Sequence, residues 1–447
     1  MKKSWIGFFL GLTLIATPNG IQAKQWSLQE CIEYAMTNNI TLQKNTLTKM
    51  SAQEDVKESQ AALLPSLDFS TSQNTTYNPW PNTGNATVAN GYVQSSVDKL
   101  YYNGSYSLNA NWTVWNGNRN KNTVKLNKLT ARQAELDSAA TANTLIEEIA
   151  QLYVQILYST EAINVNKESF ETSKKNEDRG KEMVAVGKMS KADLAQLTSQ
   201  RATDEYNIVK AESSANDYKR QLKALLQIND EDAFDVTMPS TTDDMALESV
   251  PALSSVYASA LTYRPEIENA KIGIESSDLS IKIAKAKRLP TIGLSASAIT
   301  STTSLSSNTW GTQLKNNFDL GAGVTVTVPL FDNRTTKTAV NKAIISKQTY
   351  LLDLKDKETT LHSTIENYWL QATNDQNQFK AAKVSSESAQ QSYDLLSEQF
   401  NLGLKNIIEL MTGKDNLLTA KQAELQAKYL TILNINMLKF YQNGKIK

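Results

Sequence analysis

The same order of short marks runs twice through this 447-residue chain. Ala35-Met36-Thr37-Asn38-Asn39-Ile40, followed by Leu64-Pro65-Ser66, returns 225 positions later as Ala260-Leu261-Thr262-Tyr263-Arg264-Pro265, followed by Leu289-Pro290-Thr291. Asn116-Gly117-Asn118-Arg119 lines up with Phe331-Asp332-Asn333-Arg334 at a shift of 215, and Val186-Gly187, with Asp193-Leu194 beyond it, lines up with Leu402-Gly403 and Glu409-Leu410 at a shift of 216. Self-similarity of this kind makes each copy one structural unit, so functional residues are sought at the repeated marks.

The opening residues read as an address. Lys2 and Lys3 precede an apolar run from Trp5 to Ile15, a breaker at Pro18-Asn19 and the small-residue end Ile21-Gln22-Ala23. That is the pattern of a secretory signal peptide over residues 1–23, whose removal leaves Lys24 in front. The expected divisions are then a first repeat over 24–229, an acidic connector over 230–250 and a second repeat over 251–447. No later apolar run reaches 18 residues, which excludes a transmembrane helix.

With no net charge, one cysteine and one histidine, the chain offers no basic field for nucleic acid and no disulfide framework. Cys31 falls inside a helical pattern and is expected in the core. His362 has no second histidine or cysteine cluster beside it, so no metal site or cofactor is expected, and no nucleophile, base and metal constellation points to an enzyme.

Each half reads as helix, strand pair, very long helix, turn and return helix. Ser27 to Leu64 and Leu253 to Leu289 are helical patterns, with Ser27 as an N-cap and Pro65 and Pro290 as stops. From about Arg119 to Val186 and from Arg334 to Leu402 the pattern runs unbroken, and shorter helices return over Ser190 to Gln227 and Asn406 to Tyr441. In the second long helix Ile344, Leu351, Ile365, Ala372, Phe379, Tyr393 and Phe400 form one heptad row, the mark of coiled-coil packing. Two short arms placed end to end match one long helix, giving a slender hairpin bundle turned at Gly187 and Gly403 by left-handed backbone.

Between the helices lie alternating segments. Tyr106, Leu108, Ala110, Trp112 and Val114 alternate with Ser107, Asn109, Asn111 and Thr113, and Phe318 to Val328 alternate likewise; Leu67 and Phe69, and Ile292 to Ala298, mark weaker partner strands. Each strand therefore has one apolar and one small polar face. Their lengths suit a tilted membrane-spanning strand of ~9 to 11 residues. Tyr101, Tyr102, Trp112 and Trp115 near the strand ends are expected as an interfacial girdle. Open sheet edges cannot face lipid and small barrels have about eight strands, so four strands per chain require closure with further copies. The alternative is an exported structural or adhesive coiled coil whose strands pair in water.

The duplicated order, with Leu-Pro before the strands and the tip sequences Val186-Gly187-Lys188-Met189-Ser190 and Leu402-Gly403-Leu404-Lys405, resembles the TolC family of outer-membrane efflux ducts across essentially the whole mature chain. The resemblance implies a mixed α and β fold: a long helical-hairpin barrel in the periplasm of a Gram-negative bacterium and four transmembrane β-strands per chain, completed as a 12-stranded barrel by a homotrimer in outer-membrane lipid. It also implies a channel-tunnel that exports small molecules or proteins, partnered by a periplasmic adaptor at the Gly187 and Gly403 tips and by an inner-membrane pump. In the family the position six after each tip glycine is commonly acidic, as Asp193 and Glu409 are here, and an acid at the second position lines the periplasmic entrance. A second entrance acid is replaced by Thr412, and a closure tyrosine by Phe400. Lys405 fills the family's basic closure position, so the resemblance implies a gate in which Lys405 pairs with Asp193. For the two acids, stabilisation of the helix start is the competing role.

Overall fold

The computed structural model describes residues 24–80, 87–89, 92–94, 98–229, 234–239 and 241–446. The expected signal peptide lies outside these residues, as do positions 230–233 and 240 of the connector. The expected first mature residue, Lys24, opens a short strand, β1 (Lys24–Trp26).

Ser27 then starts the first helix by a reciprocal cap. Its hydroxyl accepts from the Glu30 amide while the Glu30 carboxylate accepts from the Ser27 amide. The single helix expected up to Leu64 is two helices, α1 (Leu28–Asn38) and α2 (Ile40–Ala61). Asn39 breaks it with an extended backbone at ψ 123°, and its carbonyl oxygen Oδ1 recaps the chain by accepting from the amides of Thr41 and Leu42. After α2 come β2 (Ser66–Tyr77), a small hairpin β3 (Thr87–Ala89) and β4 (Tyr92–Gln94), β5 (Leu100–Trp115), α3 (Arg119–Ala185) and α4 (Lys191–Leu226).

The connector is more than a tether. It contains β6 (Phe234–Val236), paired in parallel with β1, and a single helical turn, α5 (Asp243–Ala246). The second half then repeats the first: α6 (Leu253–Tyr263), α7 (Pro265–Ala286), β7 (Thr291–Thr303), α8 (Trp310–Asn316), β8 (Asp319–Thr327), α9 (Thr335–Asn401) and α10 (Ile407–Asn443). Here too the first arm is broken, at Arg264, because the following Pro265 disfavours helical backbone before it. Both breaks fall on the repeated mark, Asn39 and Arg264 being 225 positions apart. The two long helices have 67 residues each and the return helices follow as expected.

Two compact units divide the chain, and they cut across the repeats. One takes 1–42, 142–259 and 364–447, the other 43–141 and 260–363. In the first, Cys31, Ala35, Ile149, Ile156, Leu222 and Leu226 are buried in one cluster with Tyr429, so Cys31 is a core residue. Trp26 of β1 packs on Tyr34 at 5.1 Å between ring centroids and on Phe234 of β6 at 6.2 Å. Ala246 of α5 is buried with Phe379 and Ile432, and Asp243 pairs with Lys383 at 2.7 Å and Lys428 at 3.0 Å. The Lys383 hydrogen bond, reinforced by Lys428, holds the Asp243 carboxyl below its usual pKa.

The second unit carries one antiparallel sheet in the order β2-β5-β7-β8. Its helices are joined by ion pairs, Lys49 to Glu135 at 3.0 Å, Arg132 to Glu268 at 2.9 Å and Lys347 to Asp278 at 2.8 Å. The heptad row of α9 behaves differently along its length. Ile365, Ala372, Phe379, Tyr393 and Phe400 are buried, whereas Ile344 and Leu351 are exposed, as are Leu47 and Met50 of α2.

Candidate functional site

The sheet separates its residues by chemistry because neighbouring strands keep like faces in register. On one face the rungs read Trp112–Leu294–Val324, then Leu67–Ala110–Ala296–Ala322, then Phe69–Leu108–Ala298–Leu320. On the other they read Ser66–Asn111–Ser295–Gly323, Asp68–Asn109–Ser297–Gly321 and Ser70–Ser107–Ile299–Asp319. The apolar face is uncovered: Leu67, Phe69, Leu320 and Val324 are each at least 66% exposed. Polar side chains pair across the opposite face, Ser70 with Ser107 at 2.7 Å and Asn109 Nδ2 donating to Asp68 at 3.3 Å. Within the described sheet β2 and β8 each have only one neighbour, so both edges present unpaired backbone groups.

A register shift between Thr113 and Trp115 alters the simple alternation of β5. By strict period-2 counting, Trp115 belongs on the polar face. The bulge inserts one residue, so Trp115 sits opposite Ile292 and joins the face of Trp112. At the other end Tyr102 lies opposite Thr75 on that same face, while its neighbour Tyr101, opposite Thr76, lies on the polar one. The expected girdle is corrected accordingly: Tyr101 leaves it because adjacent strand residues point to opposite faces. Trp112 also has a local duty, its indole N–H donating to the Leu63 carbonyl at 2.8 Å where α2 hands over to β2.

Beyond these rungs the apolar character ends. Thr71, Gln73 and Thr75 continue the face on β2, and α8 folds onto it, with Trp310 edge-on to Tyr106 at 6.2 Å and Thr300 Oγ1 donating to Leu314 O at 2.8 Å. The buried amide of Gln313 ties α8 to β7, accepting from the Thr303 amide at 2.7 Å and donating to the Thr303 carbonyl at 3.1 Å. Nothing in the periodicity of residues 301–317 marks this helix, since it is a Thr-capped helix of 7 residues, about two turns, held by tertiary bonds.

At the tips Gly187 and Gly403 have φ of 74° and 75°, the left-handed conformation expected of them. Each return helix then begins with a side-chain cap, Ser190 before α4 and Asn406 before α10. The repeated acids are the third residues of those helices. Asp193 accepts from the Ser190 hydroxyl at 2.8 Å, and Glu409 accepts from the Asn406 amide at 3.1 Å in a full capping box. Lys405 is engaged on its own side: its Nζ lies 2.5 Å from Glu409 Oε1. That hydrogen bond, with the Asn406 amide, lowers the Glu409 pKa. Within one chain Lys405, the residue before the N-cap Asn406, bonds the Glu409 carboxylate that reaches back over the helix start, and Asp193 bonds its own cap Ser190.

Sequence reading missed a buried ion pair farther up the hairpins, Lys414 of α10 with Asp204 of α4, side chains 4% and 1% exposed. Its signal is one lysine and one aspartate among many. Among the described residues no group of three or more His, Cys, Asp or Glu side chains could hold a metal ion, and no helix is long and apolar enough to cross a membrane.

The family described as "Outer membrane efflux protein" matches residues 31–227 and 256–443. The toxin and drug export protein A of Aggregatibacter actinomycetemcomitans is 22% identical over 92% of this chain and 84% of its own length. Outer membrane protein TolC of Escherichia coli K12 is 20% identical over 97% of this chain and 85% of its own. Among solved structures, CusC superposes with a TM-score of 0.80 at 18% identity, covering 98% of this chain and 99% of that one.

Proposed function

This chain belongs to the outer membrane efflux protein family, and from that premise we propose how it assembles and is gated. It is an outer-membrane efflux duct with a large periplasmic part. The proposal is that three copies, joined edge to edge through β2 of one and β8 of the next, complete a 12-stranded barrel around a polar lumen. The observation that carries it is the four-stranded sheet with two unpaired edges, an uncovered apolar face and an opposite face of serine, asparagine and glycine. A lipid-facing edge would leave each backbone group unsatisfied at several kcal/mol. Closure by copies removes the edges, puts the apolar rungs against acyl chains and leaves hydroxyls and amides to water. The exposed Leu47, Met50, Ile344 and Leu351 give the copies apolar surface to share.

Export through the signal peptide of residues 1–23, and engagement of the Gly187 and Gly403 tips by a periplasmic adaptor serving an inner-membrane pump, complete the reading. Tyr102, Trp112 and Trp115 form the girdle on the lipid side. Glu409, Asp193 and Lys405 line the entrance, where like charges brought together by symmetry focus potential for cations. Any Lys405 to Asp193 contact would form between neighbouring copies, in exchange for the Lys405 to Glu409 bond. The test is the mass of the detergent-extracted protein together with its conductance in a planar bilayer. Discrete channels from a trimer are expected. A water-soluble oligomer without channels would overturn the assembly.

A further inference from the structure

One end of the four-stranded sheet is joined to helices at every strand: α2 leads into β2, β5 out to α3, α7 into β7 and β8 out to α9. Charge is distributed unevenly there. The start of α3 carries Lys121, Lys125 and Lys128 with no acid before Glu135, and the end of α7 carries Lys282 and Lys285 with no acid after Asp278. All five lysines are exposed, and among the described residues none of them is in an ion pair. Basic residues farther from the sheet are paired, Lys49 with Glu135, Arg132 with Glu268 and Lys347 with Asp278. The two helices run antiparallel side by side, Gly117 lying against Ala286 and Leu289 and Gln133 bonding Asn269 farther down, so Lys282 and Lys285 stand at the level of Lys121. The surface is confined to these helices, since α2 has Glu54, Asp55 and Glu58 near its end.

The periodicity of α3 gathers its three lysines on one face. At about 100° per residue Lys121, Lys125 and Lys128 fall within ~60° of one another. They avoid the side of Asn120 and Asn127, which bond α2 at Ala62 and Asp55, and the side of Gln133 and Asp137, which bond Asn269 of α7. The hand of the sheet tells which side of α3 is left. Tyr102 turns its side chain to the apolar face and both backbone groups toward β7, where they bond Ser304. For an L-residue this sets β2, β5, β7 and β8 from left to right as seen from the polar face with the helices below. A right-handed helix descending from β5, with α2 on its left and α7 on its right, turns the three lysines to the far side, which is that of the apolar rungs.

We infer that the exposed lysines of α3 and α7 seat the head groups of anionic phospholipids of the periplasmic leaflet, directly below the lipid-facing rungs. This rests on the barrel proposed above. Lys121 follows Trp115 of the apolar face by six positions, and Lys128 lies within ~15 Å of the start of α3. A head-group layer extends ~5 to 8 Å beyond each side of the hydrocarbon core. Side chains of a helix lean toward its N-terminus, which for α3 is the sheet end, and long lysine stems carry their ammonium groups into that layer. Lipid phosphates there supply the anions that the chain itself withholds. Their field fades within a Debye length, and the basic residues beyond that reach are the ones the chain pairs with its own acids.

The test places the purified protein in bilayers that mix phosphatidylglycerol and phosphatidylcholine, one or the other brominated on its acyl chains, and reads the quenching of tryptophan fluorescence. Trp112 and Trp115 on the lipid side report the neighbouring chains. Brominated phosphatidylglycerol is expected to quench severalfold more than its share of the bilayer would give. Lys121→Gln with Lys125→Gln and Lys128→Gln should reduce that preference, as should Lys282→Gln with Lys285→Gln, and as should high salt. Lys355→Gln with Lys357→Gln, exposed on α9 far from the sheet, should keep it. If one set of variants fails to assemble, the other carries the test. Equal quenching by the two lipids in the wild type overturns the inference and leaves the barrel standing. A preference that survives both sets of substitutions, or is lost in the α9 control, overturns it too. So does binding of purified peptidoglycan through the same lysines without any lipid preference. Absence of quenching by either lipid withdraws the barrel itself, and this inference with it.

Discussion

Single carboxylates in this chain differ in what their surroundings do to the proton. Asp375 of α9 is pushed up by burial, against the Asn434 amide that donates to it at 2.8 Å. Asp243 is held down by Lys383 and Lys428. The signs follow from linkage. A carboxyl raised in the folded state contributes stability below its unfolded value of about 3.9 and loses it as pH rises through the folded value. A depressed one contributes above the unfolded value and loses it as pH falls through the folded one. Asp375→Asn is therefore expected to raise the apparent Tm at pH 7 slightly and to leave it unchanged near pH 3. Asp243→Asn should lower it at pH 7, by an amount that shrinks as pH falls below about 4. Thermal melts of the detergent-solubilised protein at the two pH values check both.

The helical elements are set by their ends. Asn406 and Glu409 close the start of α10 by a reciprocal bond, and the same pair positions Lys405 through Glu409. Asn406→Ala is expected to cost ~1 kcal/mol and to fray that first turn. Faster hydrogen exchange at the amides of Ile408 and Glu409, with the body of α10 unchanged, is the observable. The interior of the hairpins shows the duplication in another form. A Cβ at Gly180 would lie 2.7 Å from Leu197 Cδ1, and one at Gly413 would lie 2.6 Å from Leu396 Cδ1. Leu396 stands 216 positions after Gly180 and Gly413 stands 216 after Leu197, so the repeats exchange the large and small partners of one contact. Both halves fill the same space from opposite helices.

For the molecule as a whole the deciding feature is the sheet with two chemically distinct faces. A lysine in place of Val324 puts a charge on the apolar rung, with an expected cost of ~2 to 4 kcal/mol if that rung lies near the bilayer centre. Trimers recovered from the outer membrane should then fall sharply. Ser297→Lys, on the opposite face of the adjoining strand, should assemble normally and shift the reversal potential in a salt gradient toward anions. Equal recovery of the two variants would place both faces in the same solvent and remove the basis for the barrel. The family match decides against an exported coiled coil whose strands pair in water, and the uncovered apolar rungs agree with it.

By itself the sequence determined the elements whose signals are local and repeated. Sixty-seven residues with no Pro and at most one Gly read as long helices, Gly187 and Gly403 can take left-handed backbone without strain, and alternation writes a two-faced strand directly into the residue order. What the tertiary structure decided are matters of register and pairing. Trp115 changed faces because a bulge inserts one residue, and Lys405 bonds Glu409 because the capping box at Asn406 turns that carboxylate back toward the residues before the helix. The connector gained β6 only because β1 lies alongside it, and Asp204 and Lys414, 210 positions apart, became a buried pair only once two hairpins were packed together. Such contacts depend on where distant backbone comes to rest, and side-chain periodicity carries no record of that.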